Sequence, residues 1–121
     1  MGNLLFSEQH MWISVESDNT VKIGLSDYAQ KKLGAIVFIN LPEIGEQLVK
    51  GECFGDVESI KTVSDLISPV NGEVLHVNEE LLDAPENINA NPYTSWLIEI
   101  SMDKMEELME ADVYAAYLEQ L

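Results

Sequence analysis

The chain has no arginine, two histidines and one cysteine, and its only cations are six lysines spread over 121 residues. A single thiol, Cys53, cannot form an intramolecular disulfide framework; a buried core position in a reducing compartment is expected for it. His10 and His76 have no Cys or His companion at zinc-ligand spacing, which argues against a metal centre. No apolar run exceeds a few residues, so no membrane-spanning helix is expected and the protein reads as soluble. The opening residues Met1 to Phe6 lack the basic start of a signal peptide, and Phe6 stands where a myristoylation motif needs Ser or Thr. Glycine-rich phosphate loops, paired histidines and recognisable nucleophile–histidine arrangements are missing too, which leaves no signature of a catalyst.

What the chain has in excess is acid. Against six lysines stand 22 Asp and Glu, a formal charge of −16. Such a surface repels nucleic-acid phosphates, so nucleic acid is excluded as a partner class. The same charge draws the molecule toward basic patches on other proteins, which speeds encounter. A 46% hydrophobic content is too high for disorder, and the length suits one domain with a modest core.

Short alternating stretches dominate. Trp12 to Glu16 and Thr20 to Leu25 alternate on either side of Ser17-Asp18-Asn19, a hairpin signature. Asp27 is a candidate N-cap with Gln30 three residues on, and Gly34 after Leu33 is a stop, predicting a helix of about seven residues. Strands are expected over Ile36 to Asn40, on both sides of Lys61, over Glu73 to Val77 and over Trp96 to Ile100. Asn78 is a possible cap for a turn of helix through Leu82. Ser101, with Asp103 behind it, is expected to cap a first terminal helix bearing Met102, Met105, Leu108 and Met109. A second would carry Val113, Tyr114, Tyr117 and Leu118. Many short strands with terminal helices predict a mostly β sandwich or flattened barrel.

The most telling stretch runs from Gly55 to Gly72. Lys61 is a lone cation among Asp56, Glu58 and Asp65, where two strand-like segments meet, and a hairpin tip is its expected place. Glu58-Ser59-Ile60-Lys61-Thr62, followed by Ser68-Pro69-Val70-Asn71-Gly72-Glu73-Val74, resembles the lipoyl-attachment region of the glycine cleavage system H-protein family. His10-Met11-Trp12, Ile23 to Gln30, Leu33-Gly34, Leu41 to Gly45, Leu82 to Glu86, Asn89, Asn91-Pro92-Tyr93 and Trp96-Leu97 follow in that family's order, so the resemblance covers about residues 6 to 118. Met11, Ala35, Ser95 and Thr62-Val63 depart from its usual pattern.

The resemblance implies a mostly β, lipoyl-type barrel-sandwich hybrid of two small sheets with short helices. It would be one lipoyl-carrier domain over 1–121, with about 6–100 in the barrel sandwich and about 101–120 in a C-terminal helical extension. It implies lipoate joined as an amide to Lys61, with Glu58 and Gly72 read by the lipoylating enzyme and Asp65 helping recognition. Leu25, Ser26, Asp27 and Ala29 are candidates for a cleft that shelters the arm. The implied role is non-catalytic: shuttling an aminomethyl group and reducing equivalents between glycine decarboxylase (P protein), aminomethyltransferase (T protein) and dihydrolipoamide dehydrogenase (L protein). A lipoate ligase or a lipoyl or octanoyl transferase would load it, and the bacterial cytoplasm, or the mitochondrial matrix in a eukaryote, would house it. An H-like relay that donates lipoyl groups to 2-oxoacid dehydrogenases, a biotin carrier and an unmodified interaction module stay open as alternatives.

Overall fold

The computed structural model describes residues 4–102 and 108–121. In chain order the elements are β1 (Leu4–Phe6), β2 (Met11–Val15), β3 (Thr20–Leu25), α1 (Asp27–Leu33), β4 (Ile36–Asn40), β5 (Gln47–Leu48) and β6 (Cys53–Ser59). Then come β7 (Val63–Ile67), β8 (Gly72–Val77), α2 (Glu80–Asp83), α3 (Asn87–Ala90), β9 (Ile98–Met102), β10 (Met109–Glu110) and α4 (Ala111–Glu119). They form two unequal antiparallel sheets: seven strands ordered β10-β1-β2-β3-β9-β8-β5, and three ordered β4-β6-β7. The expected mostly β architecture with short helices and a terminal helix is what the chain adopts.

Period-two patterning explains the core. Val21, Ile23 and Leu25 of β3 and Ile98, Ile100 and Met102 of β9 turn inward across the β3–β9 pair, meeting Ile39 and Val57 from the smaller sheet. Each such side chain, fully buried, contributes about 1.5–3 kcal/mol relative to exposure. A second cluster joins the termini to the sheet: Phe6 stacks on Tyr114 at 4.4 Å with rings nearly parallel, and Trp12 packs with them. Trp12 Nε1 donates to Pro92 O at 2.9 Å, so the indole is both core and tether for the loop after α3.

Four local expectations are corrected. Ser101 caps no helix; it lies within β9 opposite Thr20 and Glu73, because Ile98, Ile100 and Met102 follow the strand period on a doubly paired strand. Met109 belongs to β10, opposite Phe6, while Asp103 and Met105 lie outside the described residues. Asn78 caps nothing either, since its Nδ2 donates to Trp96 O at 2.8 Å. Cys53 is exposed rather than buried: the register slips between Cys53 and Gly55, which re-aims the first side chain of β6, and its Sγ donates to Gly55 O.

Trp12 and Gly24 are cross-strand partners, and a Cβ on Gly24 would stand 2.4 Å from the indole carbons. The ring therefore lies flat against a residue that has no side chain. Gly24→Ala is expected to cost about 1–3 kcal/mol, as an overpacked core does. Urea unfolding checks this; an unchanged midpoint would show that Trp12 moves aside freely.

Candidate functional site

Lys61 occupies the tip of the β6–β7 hairpin, as its flanks predict. Two-residue hairpin loops usually need positive φ at their centre, the reason Asn-Gly is common there. Ile60 and Lys61 both keep negative φ, and the hydroxyl of Ser59 supplies the closure instead. Its Oγ accepts from Lys61 N at 3.1 Å and Thr62 N at 3.2 Å, while Ser59 N donates to Thr62 O at 2.8 Å. Ser59 is buried and Lys61 exposed, so the clamp sits beneath the amine it presents.

The tip is also braced from the side. Ile60 N donates to Ala35 O at 3.0 Å, tying it to the segment that leaves α1. That segment is held by Asn89 of α3, whose Nδ2 donates to Gly34 O and to Gln30 Oε1, both at 2.9 Å, and whose Oδ1 accepts from Ile36 N at 2.8 Å. Gly34 ends α1 with φ 82°, a left-handed backbone that favours glycine. The Lys61 stem lies across it: a Cβ on Gly34 would be 3.2 Å from Lys61 Cε. No ion pair holds the Lys61 amine among the described residues.

A cleft of about 260 Å³ opens between α1, residues 9–11 and residues 64–65. Met11, Leu25, Ala29 and Leu33 give it an apolar floor, and His10, Lys32 and Asp65 a polar rim. Leu33 directly precedes Gly34, over which the Lys61 stem lies, so the lining of the cleft comes within one residue of that contact. These residues suit an alkyl chain that begins at Lys61 Nζ. A larger recess of about 420 Å³ lies elsewhere, by Lys50, Gly51 and Ser68; Lys61 lines neither, and only the smaller one includes neighbours of the tip on β7 and α1.

The residues expected around the arm divide. Leu25 and Ala29 line the cleft. Ser26 does not; it is fully buried and is the N-cap of α1, its Oγ accepting from Ala29 N at 3.2 Å. The cap expected at Asp27 thus falls one residue earlier. Asp27 is the first helical residue and lines a separate cavity toward Tyr93 and α4. Its carboxylate, 2.9 Å from Lys31 Nζ and bonded by Gln30 Nε2, is held below the usual carboxylate range by the Lys31 contact first and the Gln30 bond second. Glu58 is exposed on β6 near the tip. Gly72 is not near it: β7, five residues at about 3.3 Å each, runs roughly 16 Å away from the tip before the chain reaches Gly72. A Cβ on Gly72 would come within 1.9 Å of Ser101 O, so close approach of β9 already requires glycine there.

A polar chain ties the cleft to the terminal helix. Tyr114 Oη of α4 is 2.7 Å from His10 Nδ1 and 2.9 Å from Ser26 Oγ. A neutral imidazole protonated on Nε2 satisfies every group: Ser26 Oγ donates to Tyr114 Oη, which donates to His10 Nδ1. His10 has φ 69°, an unusual backbone for a side-chain-bearing residue, and this contact helps hold it. Burial lowers the His10 pKa and raises that of Tyr114.

Residues 4–121 match the family model described as Glycine cleavage H-protein. The chain is 47% identical to the "Probable glycine cleavage system H protein" of Pyrococcus abyssi, over 98% of this chain and 91% of that protein. It is 49% identical to the "Glycine cleavage system H protein" of Halothermothrix orenii, over 98% of this chain and 95% of that one. The crystal structure of a glycine cleavage system H protein from Mycobacterium marinum superimposes with a TM-score of 0.91 at 37% identity, covering 98% of both chains.

The lowered His10 value fixes the sign of a pH effect. The folded chain takes up this proton less readily than the unfolded one, so the associated stability is present above the ordinary value of 6.5 and is lost as the pH falls through the lowered folded value. The urea midpoint of the parent chain should therefore drop more steeply below about pH 6.5 than that of His10→Asn, which tolerates the left-handed backbone. Identical pH profiles in that window would contradict this.

Proposed function

The chain belongs to the glycine cleavage H-protein family, and from that premise we propose that it is a lipoyl carrier loaded on Lys61, serving the P, T and L proteins of glycine cleavage. The observation that carries the reading is the braced tip: one exposed amine, its backbone clamped by Ser59 and its stem lying over Gly34, next in the chain to Leu33 of an apolar cleft. A bound lipoyl group supplies a dithiolane that opens reductively and accepts a carried group, chemistry no side chain here offers.

The protein's own residues supply position. Ser59 and Ala35 fix where the arm starts, so its reach is centred on one point of the surface. Tethering makes each transfer a local event at high effective concentration. Leu25, Ala29 and Leu33 offer an apolar resting place, and the rim residues Asp65, Lys32 and His10 exclude bulk water on one side while leaving polar partners for whatever the arm carries. Ser26 and Asp27 act at one remove, holding the first turn of α1 that presents Ala29. Gly72 keeps β8 and β9 in contact, which leaves Glu58 as the better candidate for direct reading by a loading enzyme. Relatives in archaea and bacteria support the cytoplasm as the compartment.

Intact mass tests the attachment. Expressed with a lipoylating enzyme and lipoate, the chain is expected to gain one lipoyl group, and Lys61→Arg none. Lack of any gain in the parent chain under lipoate sufficiency would overturn the reading. A chain that is loaded but cannot support reconstituted glycine cleavage would overturn the shuttle and favour the relay.

A further inference from the structure

The outer face of the three-stranded sheet is built against the usual rule for a solvated sheet face, which is polar. Phe38, Glu58 and Val63 lie in one cross-strand row, Phe38 opposite Glu58 and Glu58 opposite Val63. Phe38 is 51% exposed and Val63 60%. The register shift between Ile36 and Phe38 turns Val37 outward as well, and Ile60 at the tip is more exposed still. The next row sets Asp56 directly opposite Asp65, with Asn40 Nδ2 donating to Asp56 Oδ1 at 2.9 Å. Like charges at directly opposed positions destabilise a strand pair. Neither row helps the fold: one leaves apolar surface in water and the other repels itself.

Both rows gain a purpose when covered. A second copy of this chain fits poorly, since it would bring the same carboxylates against themselves on a molecule of charge −16. A partner with an apolar socket and a basic rim fits well. Val63 is two residues from Lys61, so whatever covers the row also reaches the tip. An enzyme that acylates Lys61 must bring an acyl carbon to bonding distance of Nζ, whereas one that works at the free end of a loaded arm meets the arm away from its root. Resting on the assignment of Lys61 as attachment point and of Glu58 as a residue its loading enzyme reads, we propose that Phe38 and Val63, which flank Glu58 in this row, are the apolar anchors of the strip on which the lipoate-attaching enzyme docks. In the step it serves, an N–C bond forms between Nζ and the carbonyl carbon of an adenylate or thioester donor. The C–O or C–S bond breaks, the leaving group departs with the electron pair, and the surplus amine protons pass to an enzyme base or solvent.

The test follows mass gain over time for the unmodified full chain with a lipoate ligase, lipoate and ATP, together with calorimetric binding of ligase to chain. Phe38→Ser combined with Val63→Ser should raise the KM for the chain and weaken binding by about tenfold or more, with kcat within about twofold, as loss of interface anchors does. Glu58→Gln should raise KM and flatten its rise with salt; Val15→Ser, an exposed apolar change on β2, should alter neither parameter. Thermal melting checks that each variant is folded, and if the double variant is not, the single Val63→Ser change, on a side chain 60% exposed, decides between the outcomes. Unchanged KM and binding in folded variants would overturn the strip while leaving Lys61 as attachment point. If the double variant loads normally but, once loaded, fails with glycine decarboxylase, the strip belongs to a later partner and the proposal is overturned. No mass gain in the parent chain would overturn the attachment point itself and the strip with it.

Discussion

Everything about the lysine tip depends on how the backbone between α1 and β4 is held. Gly34, Ala35 and Ile36 leave a helix, turn and enter a strand, and so cannot satisfy all their own polar groups. Asn89 does it for two of them, donating from Nδ2 to Gly34 O and accepting from Ile36 N at Oδ1, while a second Nδ2 donation to Gln30 Oε1 fixes the amide itself. Buried polar groups left without partners cost about 1–3 kcal/mol each, so these bonds are a strong constraint on where the segment can lie. Once it is fixed, Ala35 O is in place for Ile60 N, Gly34 is in place beneath the Lys61 stem, and Leu33 is in place in the lining of the cleft. A side chain on a helix of four residues thereby sets the geometry of a hairpin that precedes it in the chain.

Stability and presentation are separate duties in this arrangement. The inward residues of β3, β9, β4 and β6 make the sandwich, and the Phe6–Trp12–Tyr114 cluster pins the terminal helix to it. The tip adds almost nothing to that core; its side chains beyond Ser59 face water. A carrier needs this division, because a lysine that must be reached by another protein cannot also be packed. The Tyr114 contacts with His10 and Ser26 join the two duties, linking α4 to the capped end of α1 and the cleft rim.

Local signals were legible in the sequence and long-range ones were not. The β2–β3 hairpin, α1 with its Gly34 stop and the Lys61 tip follow from alternation, turn residues and helix punctuation within a few positions. The motif around Lys61 singled out the lysine at the hairpin tip because its cue is local too. Asn89 stood in the family pattern, but its role could not be read, since its partners lie more than fifty residues away. Ser59 was closer to discovery: a serine two before the presented residue is the pattern of a hydroxyl-closed turn. The expected cap at Asp27 gave way to Ser26, equally good by type, because only Ser26 has the extended backbone of a cap. Ser101 misled for the opposite reason, as pairing with two neighbouring strands overrode its local preference. The exposure of Cys53 came from a bulge, which composition cannot reveal.

Rigidity of the tip is the property from which presentation of Lys61 follows, and backbone ¹⁵N relaxation reads it directly. The amides of Ile60, Lys61 and Thr62 should show order parameters near the rigid value of about 0.85, falling in Asn89→Ala while β2 and β3 stay unchanged. Values below about 0.6 for these three amides in the parent chain would contradict it, since a loose loop would then be offering the lysine.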